Sequence, residues 1–218
     1  MQQEILIPKL NQNNYIFPDP KLSSKEGLVA WGGDLNPLRL ITAYKNGIFP
    51  WYSQNDPILW WSPDPRLVLF LNEFKISKSL KKSIKKYQVK FNTDFEKVIS
   101  NCKDVREMSS EGTWIDENMK KAYIKLHKMG YAYSVETYYD NELIGGLYGV
   151  IIGKVFCGES MFSKKSDASK VALAFLVEKL KKDKFHFIDC QTPTSHLISL
   201  GAREISRDEF LFLLRAAI

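Results

Sequence analysis

The pattern of apolar and polar residues along the chain changes near residue 65. The first third is rich in turns and aromatic residues, with one helical pattern that Asn36 and Pro37 open and Gly47 closes. From Leu67 onward, short apolar runs typical of strands take turns with amphipathic stretches of helical period. The predicted strands cover 67–71, 88–92, 131–139, 142–152, 155–163 and 185–191, and the predicted helices begin near residues 77, 94, 116, 166 and 210. The pattern predicts a small aromatic-rich domain, 1–64, before a second domain, 65–218.

The order of the later elements predicts how their strands pair. Strands 131–139, 142–152 and 155–163 are joined by two-residue turns, so they are expected to form antiparallel hairpins. A helix separates strand 155–163 from strand 185–191, which predicts a parallel pair with a right-handed crossover. The second domain is therefore expected to be α/β (α+β), with a mixed sheet.

Both strands of this predicted parallel pair carry an acidic residue in an apolar run, Glu159 and Asp189. Buried carboxylates are costly unless they are paired or used. Strand alternation puts Asp189 and Gln191 on one face, and Glu159 and Met161 on one face. A polar pair beside an apolar patch is typical of a ligand pocket, and open α/β sheets bind ligands at the strand ends.

Composition limits the class of protein. The chain has 218 residues, 44% of them hydrophobic, which is enough for a substantial core. No apolar run reaches the roughly 18 residues of a membrane helix, and the N-terminus lacks the features of a signal peptide. We therefore expect a globular protein of the cytoplasm that does not enter a membrane.

Cysteine and histidine positions give no sign of a metal centre or a disulfide framework. The three cysteines, 102, 157 and 190, lack CxxC spacing, and the three histidines, 127, 186 and 196, do not cluster. Cys190 and His196 could form a nucleophilic pair, but a small core cysteine is the more common situation. No metal and no cofactor are expected.

The net charge of +6 is unevenly distributed. Seven lysines and no acidic residue lie between residues 75 and 90, mostly on the polar face of the helix that begins near Ser77. A block of this kind favours a polyanionic partner, although a solvated lysine face is its ordinary alternative.

Several short motifs, in order along the chain, resemble those of the leucyl/phenylalanyl-tRNA protein transferase family. They are Gly32-Gly-Asp-Leu35, Gly47-Ile-Phe-Pro-Trp51, Leu59-Trp-Trp-Ser-Pro-Asp-Pro-Arg66, Glu111-Gly-Thr-Trp-Ile115, Phe156-Cys-Gly-Glu-Ser-Met-Phe-Ser163, Ala168-Ser-Lys170 and Ile188-Asp-Cys-Gln191. The resemblance implies a GNAT-like acyltransferase domain. It also implies transfer of Leu or Phe, and also Met, from charged tRNA to the N-terminal α-amine of proteins that begin with Arg or Lys, which marks them for degradation.

By this resemblance, Asp189 and Gln191 are the catalytic positions. Asp189 would orient the incoming amine and could accept its proton, and Gln191 would hold the reacting groups by hydrogen bonds. Two alternatives stay open: Asp189 acts only by position while a ribose hydroxyl relays the proton, or it is a structural residue that caps a loop.

The resemblance also assigns the two substrate side chains. Glu159 would meet the basic side chain of the acceptor, although it could instead pair internally with Lys170. The transferred side chain would lie among Leu147, Phe156, Met161, Leu176 and Ile188, all of which are ordinary core residue types.

The tRNA would be bound by aromatic and basic residues. Tyr44, Trp51 and Trp114 could stack on the terminal adenosine, whereas Trp60 and Trp61 are assigned to the core or the domain junction. The acceptor-stem phosphates would meet Lys78, Lys81, Lys82, Lys85 and Lys86. The chain is expected to act as a monomer.

Two other classes of function compete with this interpretation. An acetyl-CoA-dependent N-acetyltransferase would need a glycine-rich loop for the pyrophosphate, but Ser163-Lys-Lys-Ser-Asp-Ala-Ser169 contains no glycine. An RNA-binding module without catalysis would explain the lysines and aromatics but leaves Glu159, Asp189 and Gln191 without a role.

Overall fold

The computed structural model describes residues 7–53, 56–108 and 113–218. The N-terminal part forms a four-stranded sheet in the order β1-β2-β4-β3. Helix α1, Pro37–Lys45, connects β2 to β3, and its cap is the predicted one, since the Asn36 side chain accepts a hydrogen bond from Leu38 N. The strands are β1 Lys9–Leu10, β2 Leu28–Gly32, β3 Phe49–Pro50 and β4 Leu59–Trp61.

The larger sheet has seven strands in the order β11-β5-β10-β9-β8-β7-β6. Only β9 and β10 are parallel, and every other pair is antiparallel. The predicted mixed α/β sheet and its parallel pair are therefore confirmed. The strands are β5 Arg66–Phe70, β6 Gln88–Phe91, β7 Ala132–Tyr139, β8 Glu142–Ile152, β9 Val155–Ser163, β10 Phe187–Gln191 and β11 Arg203–Ile205.

Helices cover both faces of this sheet. Leu173, Leu176, Val177 and Leu180 of α5 are buried, as the helical pattern predicted. The helical pattern that begins near residue 116 predicts that Met129 lies on the apolar face, but Met129 is 48% exposed, because α4 ends one residue before it. The helices are α2 Lys78–Lys86, α3 Phe95–Glu107, α4 Glu117–Lys128, α5 Ala168–Lys182, α6 Ser195–Ser199 and α7 Arg207–Ala217.

Two hydrophobic clusters lie on opposite faces of the larger sheet. One contains the α5 side chains, with Leu80 of α2. The other joins α3, α4 and α7 to the N-terminal sheet, and Tyr44 and the fully buried Trp60 belong to it. The chain changes sheets between Trp61 and Arg66, but the core continues across that point, so the boundary at 64/65 stays a prediction.

Two β-bulges separate the ends of β9 and β10. Pairing between these strands stops at Asp189 and Cys157. Glu159 is the extra residue where β9 pairs with β8, and Cys190 is the extra residue where β10 pairs with β5. Because a bulge bends its strand and interrupts alternation, the sheet opens here. The prediction that Glu159 and Met161 share a face is wrong, since Met161 packs with the α5 cluster and Glu159 bonds toward α4.

No helix within the described ranges is long and apolar enough to cross a membrane.

Candidate active site

A cavity of about 370 Å³ lies in the opening between β9 and β10. Backbone and side chains from Gly158 to Met161 form one side, and residues from Cys190 to Thr192 form the other. The two bulges therefore create the space, because regular strands would have closed it with a continuous ladder.

One wall of the cavity is apolar. It is built from strands β8, β9 and β10 together with α5, whose apolar stripe faces the sheet. The five residues predicted for the transferred side chain all line the cavity: Leu147, Phe156, Met161, Leu176 and Ile188. Leu173 and Leu197 extend this wall. Such a surface can take an aliphatic or aromatic side chain out of water.

The facing wall is polar, and Glu159 is its centre. Its carboxylate accepts hydrogen bonds from Tyr123 Oη and from Gln191 Nε2, both at 2.8 Å. Tyr44 Oη contacts Tyr123 Oη in turn. Because Tyr123 gives its one hydrogen to Glu159, Tyr44 is the donor in that contact. The result is a chain of donors that ends at a carboxylate inside the cavity.

Burial raises the pKa of Glu159 to about 7, although hydrogen bonds from Tyr44, Tyr123 and Gln191 oppose the shift. The alternative pairing with Lys170 is wrong, since Lys170 Nζ lies 3.1 Å from Asp167 Oδ1. The hydrogen bonds that Glu159 accepts from described residues come from neutral donors, and among those residues it forms no ion pair.

Asp189 does not line the cavity. It is 1% exposed, and its carboxylate accepts two hydrogen bonds from Arg66, Nε to Oδ1 at 2.8 Å and Nη2 to Oδ2 at 2.7 Å. Oδ1 also accepts the backbone N–H of Gln191 at 3.0 Å. A catalytic role for Asp189 stays a prediction, and in this structure its contact with the cavity runs through Gln191.

The predicted adenosine-stacking residues separate into two groups. Trp51 and Trp114 both line the cavity, with ring centroids 6.4 Å apart and planes at 85°. Trp51 is 44% exposed, so its ring is available to a ligand. Tyr44 is 2% exposed and belongs to the core. The expectation that Tyr44 stacks on a base is wrong, because α1 buries its ring and directs its hydroxyl to Tyr123.

Several cavity residues were not found from the sequence. The guanidinium carbon of Arg106 lies 3.9 Å from the ring centroid of Trp114, and Arg106 is in the last turn of α3, beyond the part of the chain that the sequence predicts to be helical. Three others, Thr192, Thr194 and Leu197, follow β10 in a stretch without periodicity. The motif residues Glu111 and Gly112 lie outside the described residues.

Cys190 and His196 both line the cavity, but their chemistry does not suit a nucleophilic pair. Burial raises the pKa of the Cys190 thiol, which keeps it protonated. Burial and the charge of Lys170 lower the pKa of His196, and its Nε2 is buried without a hydrogen-bond partner. The sequence-based preference for a core cysteine agrees with this environment.

The five lysines predicted to meet tRNA are all exposed on α2. This helix packs beside α5: Ser83 Oγ donates to Asp167 at 3.2 Å, and Tyr87 Oη donates to the Ser166 carbonyl at 3.2 Å. The lysine face therefore lies beside the helix that forms the apolar wall. Its role in binding RNA stays a prediction.

The connection from β9 to α5 is closed by its own side chains. Ser163 Oγ accepts the backbone N–H of Ser169 at 2.9 Å, and Asp167 has a positive φ of 62°. A pyrophosphate site at this helix start would need such N–H groups to be free. Among the described residues, no group of three His, Cys, Asp or Glu side chains could hold a metal ion.

Comparison with known proteins identifies close relatives. The sequence model of the leucyl/phenylalanyl-tRNA protein transferase family matches residues 68–215, and that of the family's N-terminal domain matches residues 33–64. A leucyl/phenylalanyl-tRNA protein transferase of Sulfurimonas denitrificans is 55% identical over 94% of this chain and 90% of its own. Transferases of the same name from Syntrophobacter fumaroxidans and Legionella pneumophila are 55% and 53% identical, over 91% and 94% of this chain and 86% and 93% of their own.

Solved structures resemble this chain more distantly. An aminoglycoside acetyltransferase from an uncultured soil metagenomic sample has a TM-score of 0.40 at 13% identity, covering 53% of this chain and 84% of its own. A predicted acetyltransferase from Clostridium acetobutylicum gives the same TM-score and identity, over 50% of this chain and 82% of its own.

Proposed function

We propose that this chain, which belongs to the leucyl/phenylalanyl-tRNA protein transferase family, moves Leu, Phe or Met from charged tRNA to the N-terminal α-amine of proteins beginning with Arg or Lys. The chain is an aminoacyltransferase by its family. The donor amino acids, the basic acceptor termini and a role in degradation through the N-degron pathway are the proposal. We further propose that it acts as a monomer in the cytoplasm.

The observation that supports this proposal most directly is a cavity with two different walls. The apolar wall suits the side chain of Leu, Phe or Met, whereas Glu159 on the polar wall suits a guanidinium or ammonium group. An enzyme that joins an apolar aminoacyl group to a basic acceptor residue needs both binding surfaces in one cavity. The ester carbonyl and the α-amine can then come within bond-forming distance.

The chemistry proposed for this space is aminolysis of the tRNA ester. A neutral α-amine attacks the ester carbonyl, the bond to the ribose oxygen breaks, and a proton passes from the amine to that oxygen. Gln191 Nε2 now donates to Glu159, so its amide oxygen is the group that can accept a hydrogen bond from the attacking amine. Positioning of this kind lowers the barrier without a strong base.

Of the two proton routes open for Asp189, its surroundings favour the positional one. A proton acceptor must come within hydrogen-bond reach of the amine, directly or through one water. Both Asp189 oxygens are bound by Arg66, and the side chain is excluded from the cavity. The ribose hydroxyl next to the ester is therefore our proposed relay for the proton.

The tRNA end is proposed to enter past Trp51 and Trp114. Single-stranded RNA ends are bound largely by aromatic stacking, and these two rings lie at the cavity rim with Arg106 against Trp114. The lysines of α2 would then bind acceptor-stem phosphates without choosing a sequence. Selection would rest on the aminoacyl side chain.

Acetyl transfer from acetyl-CoA is the competing function, and one observation weighs against it. The backbone N–H of Ser169 is already bound by Ser163 at the start of α5. With no glycine in that loop, the chain cannot approach a pyrophosphate closely there.

The deciding experiment follows label from Leu-tRNA, Phe-tRNA or acetyl-CoA into two peptides that differ only in their first residue, Arg or Ala. We expect label from both tRNAs in the Arg peptide and little in the Ala peptide. Equal labelling of the two peptides, or labelling from acetyl-CoA alone, would contradict the proposal. A peptide beginning with Lys completes the acceptor series.

A further inference from the structure

Arg66 is a buried cation outside the cavity of the candidate active site. It lies at the start of β5, is 1% exposed and does not line the cavity. Its guanidinium lies between two aromatic rings, 4.8 Å from the centroid of Phe49 and 4.4 Å from that of Phe210. Those rings come from β3 and α7, so three distant parts of the chain fix the plane of one side chain.

That plane fixes Asp189 in turn. The two hydrogen bonds from Arg66 are parallel, one to each carboxylate oxygen, which sets both the position and the rotation of the carboxylate. Oδ1 is thereby directed at the backbone N–H of Gln191, 3.0 Å away.

Gln191 depends on this contact because its backbone is strained. Its φ is +65°, the left-handed region that side chains other than glycine rarely adopt. Gln191 directly follows the bulge residue Cys190, and its side chain lies in the cavity, where Nε2 reaches Glu159 at 2.8 Å. Such a conformation persists only where surrounding contacts hold it.

We propose that Arg66 is a positioning residue for the transfer reaction: by fixing Asp189, it holds the Gln191 backbone in its left-handed conformation and so places the Gln191 amide in the cavity. This inference rests on the proposed function for its kinetic consequences. In this inference, Arg66 is needed because it positions one hydrogen-bond acceptor, Asp189 Oδ1, and not because the charges of the pair cancel.

The test compares Arg66→Met with two double variants. Arg66→Met/Asp189→Asn removes both charges but keeps a side-chain oxygen that can accept from Gln191 N. Arg66→Met/Asp189→Leu removes both charges and the acceptor. Replacement of a buried ion pair by neutral or apolar side chains is commonly tolerated by the fold, so the doubles can be studied even if the single variant fails to fold.

With Leu-tRNA and an Arg peptide, we expect Arg66→Met/Asp189→Leu to lose about 100-fold in kcat, the cost of misplacing a reacting group. The Asn double is expected to lose less, about 10-fold, because its side-chain oxygen can still accept from Gln191 N although Arg66 no longer sets its rotation. KM for Leu-tRNA should change little in either. A purely structural role for the pair would not separate the two doubles.

A second measurement does not need activity. The backbone amide shift and hydrogen exchange of Gln191, followed by NMR, should lie closer to the wild type in the Asn double than in the Leu double. Equal kcat in the two doubles, or an unchanged Gln191 amide in the Leu double, would overturn the inference. Absence of transfer by the wild-type protein would count against the proposed function, while the NMR comparison still decides the role of Arg66.

Discussion

Asp189 and Glu159 lie on neighbouring strands, each beside a bulge, yet their surroundings are opposite. Asp189 is 1% exposed and meets the full positive charge of Arg66 through two hydrogen bonds. Among the described residues, Glu159 accepts hydrogen bonds from hydroxyl and amide donors, and burial raises its pKa to about 7. A carboxylate whose charge is matched within the protein can serve as an anchor. A buried carboxylate without such a partner can bind a basic ligand, which is the role proposed for Glu159.

The division has a physical basis. An internal cation next to Glu159 would neutralise the site and compete with a basic acceptor residue. A missing cation next to Asp189 would leave a buried charge without compensation. The two carboxylates therefore need different partners, although both occur in short apolar runs of the sequence.

The largest effect is expected when Arg66, the cation that pairs with Asp189, is removed. Arg66→Met should lower the free energy of unfolding by about 3–5 kcal/mol, since one partner of a buried pair is left unpaired. Urea denaturation at pH 8 measures the loss. Arg203→Met is the matched control, because Arg203 pairs with Glu73 where both side chains are more than 40% exposed, and a change below about 1 kcal/mol is expected there. Similar losses in the two variants would mean that burial does not distinguish these pairs.

Much of the secondary structure could be predicted because its signals are local. Asn36, Ser77, Asp116 and Ser206 cap helices as the sequence indicated. The hairpins of β7, β8 and β9 and the crossover to β10 follow from turn residues and element order. The apolar wall was found because the family resemblance added a role to residues that periodicity alone placed in the core.

The arrangement of the polar wall could not be predicted, because it depends on departures from periodicity. Regular strand alternation predicts Glu159 and Met161 on one face. The bulge at Glu159 shifts the alternation by one residue, so the two side chains lie on opposite faces. Arg66 is 123 residues from Asp189, so no local spacing links them. Tyr44 looked like a stacking residue because a phenol can be core or ligand surface, and only the packing of α1 against α4 decides which.

The second prediction concerns the carboxylate charge of Glu159, which Glu159→Gln removes. The pKa of Glu159 rises from 4.5 to about 7 on folding, so the native state binds the proton more tightly than the unfolded state. Its stability cost is therefore full above pH 7 and disappears as the pH falls toward 4.5. Glu159→Gln should raise the free energy of unfolding by about 1–2 kcal/mol at pH 8, and the gain should shrink steadily toward pH 5.

Urea titrations of Glu159→Gln and wild type at pH 8, 6.5 and 5 measure this gain. A gain in stability that stays constant with pH would mean that it comes from packing and not from ionisation.

The same variant, Glu159→Gln, should lose most transfer to the Arg peptide, because the amide offers no charge to a guanidinium. Glu142→Gln is the matched control, because Glu142 is exposed at the β7–β8 turn. Glu136→Gln is not suitable, since that carboxylate accepts hydrogen bonds from the backbone N–H groups of Thr93 and Asp94 just before α3.

The smallest test changes one donor to Glu159. Tyr123→Phe removes the 2.8 Å hydrogen bond to Oε2, which stabilises the ionised carboxylate. The pKa of Glu159 should rise further, and the acidic limb of the pH profile of kcat/KM for the Arg peptide should move up by about 0.5–1 pH unit. Tyr133→Phe, on β7 and away from the cavity lining, is the control and should leave that limb in place. If Tyr123→Phe lowers kcat/KM equally at every pH, the acidic limb belongs to another group, and the contrast between the two carboxylates would then rest on geometry alone.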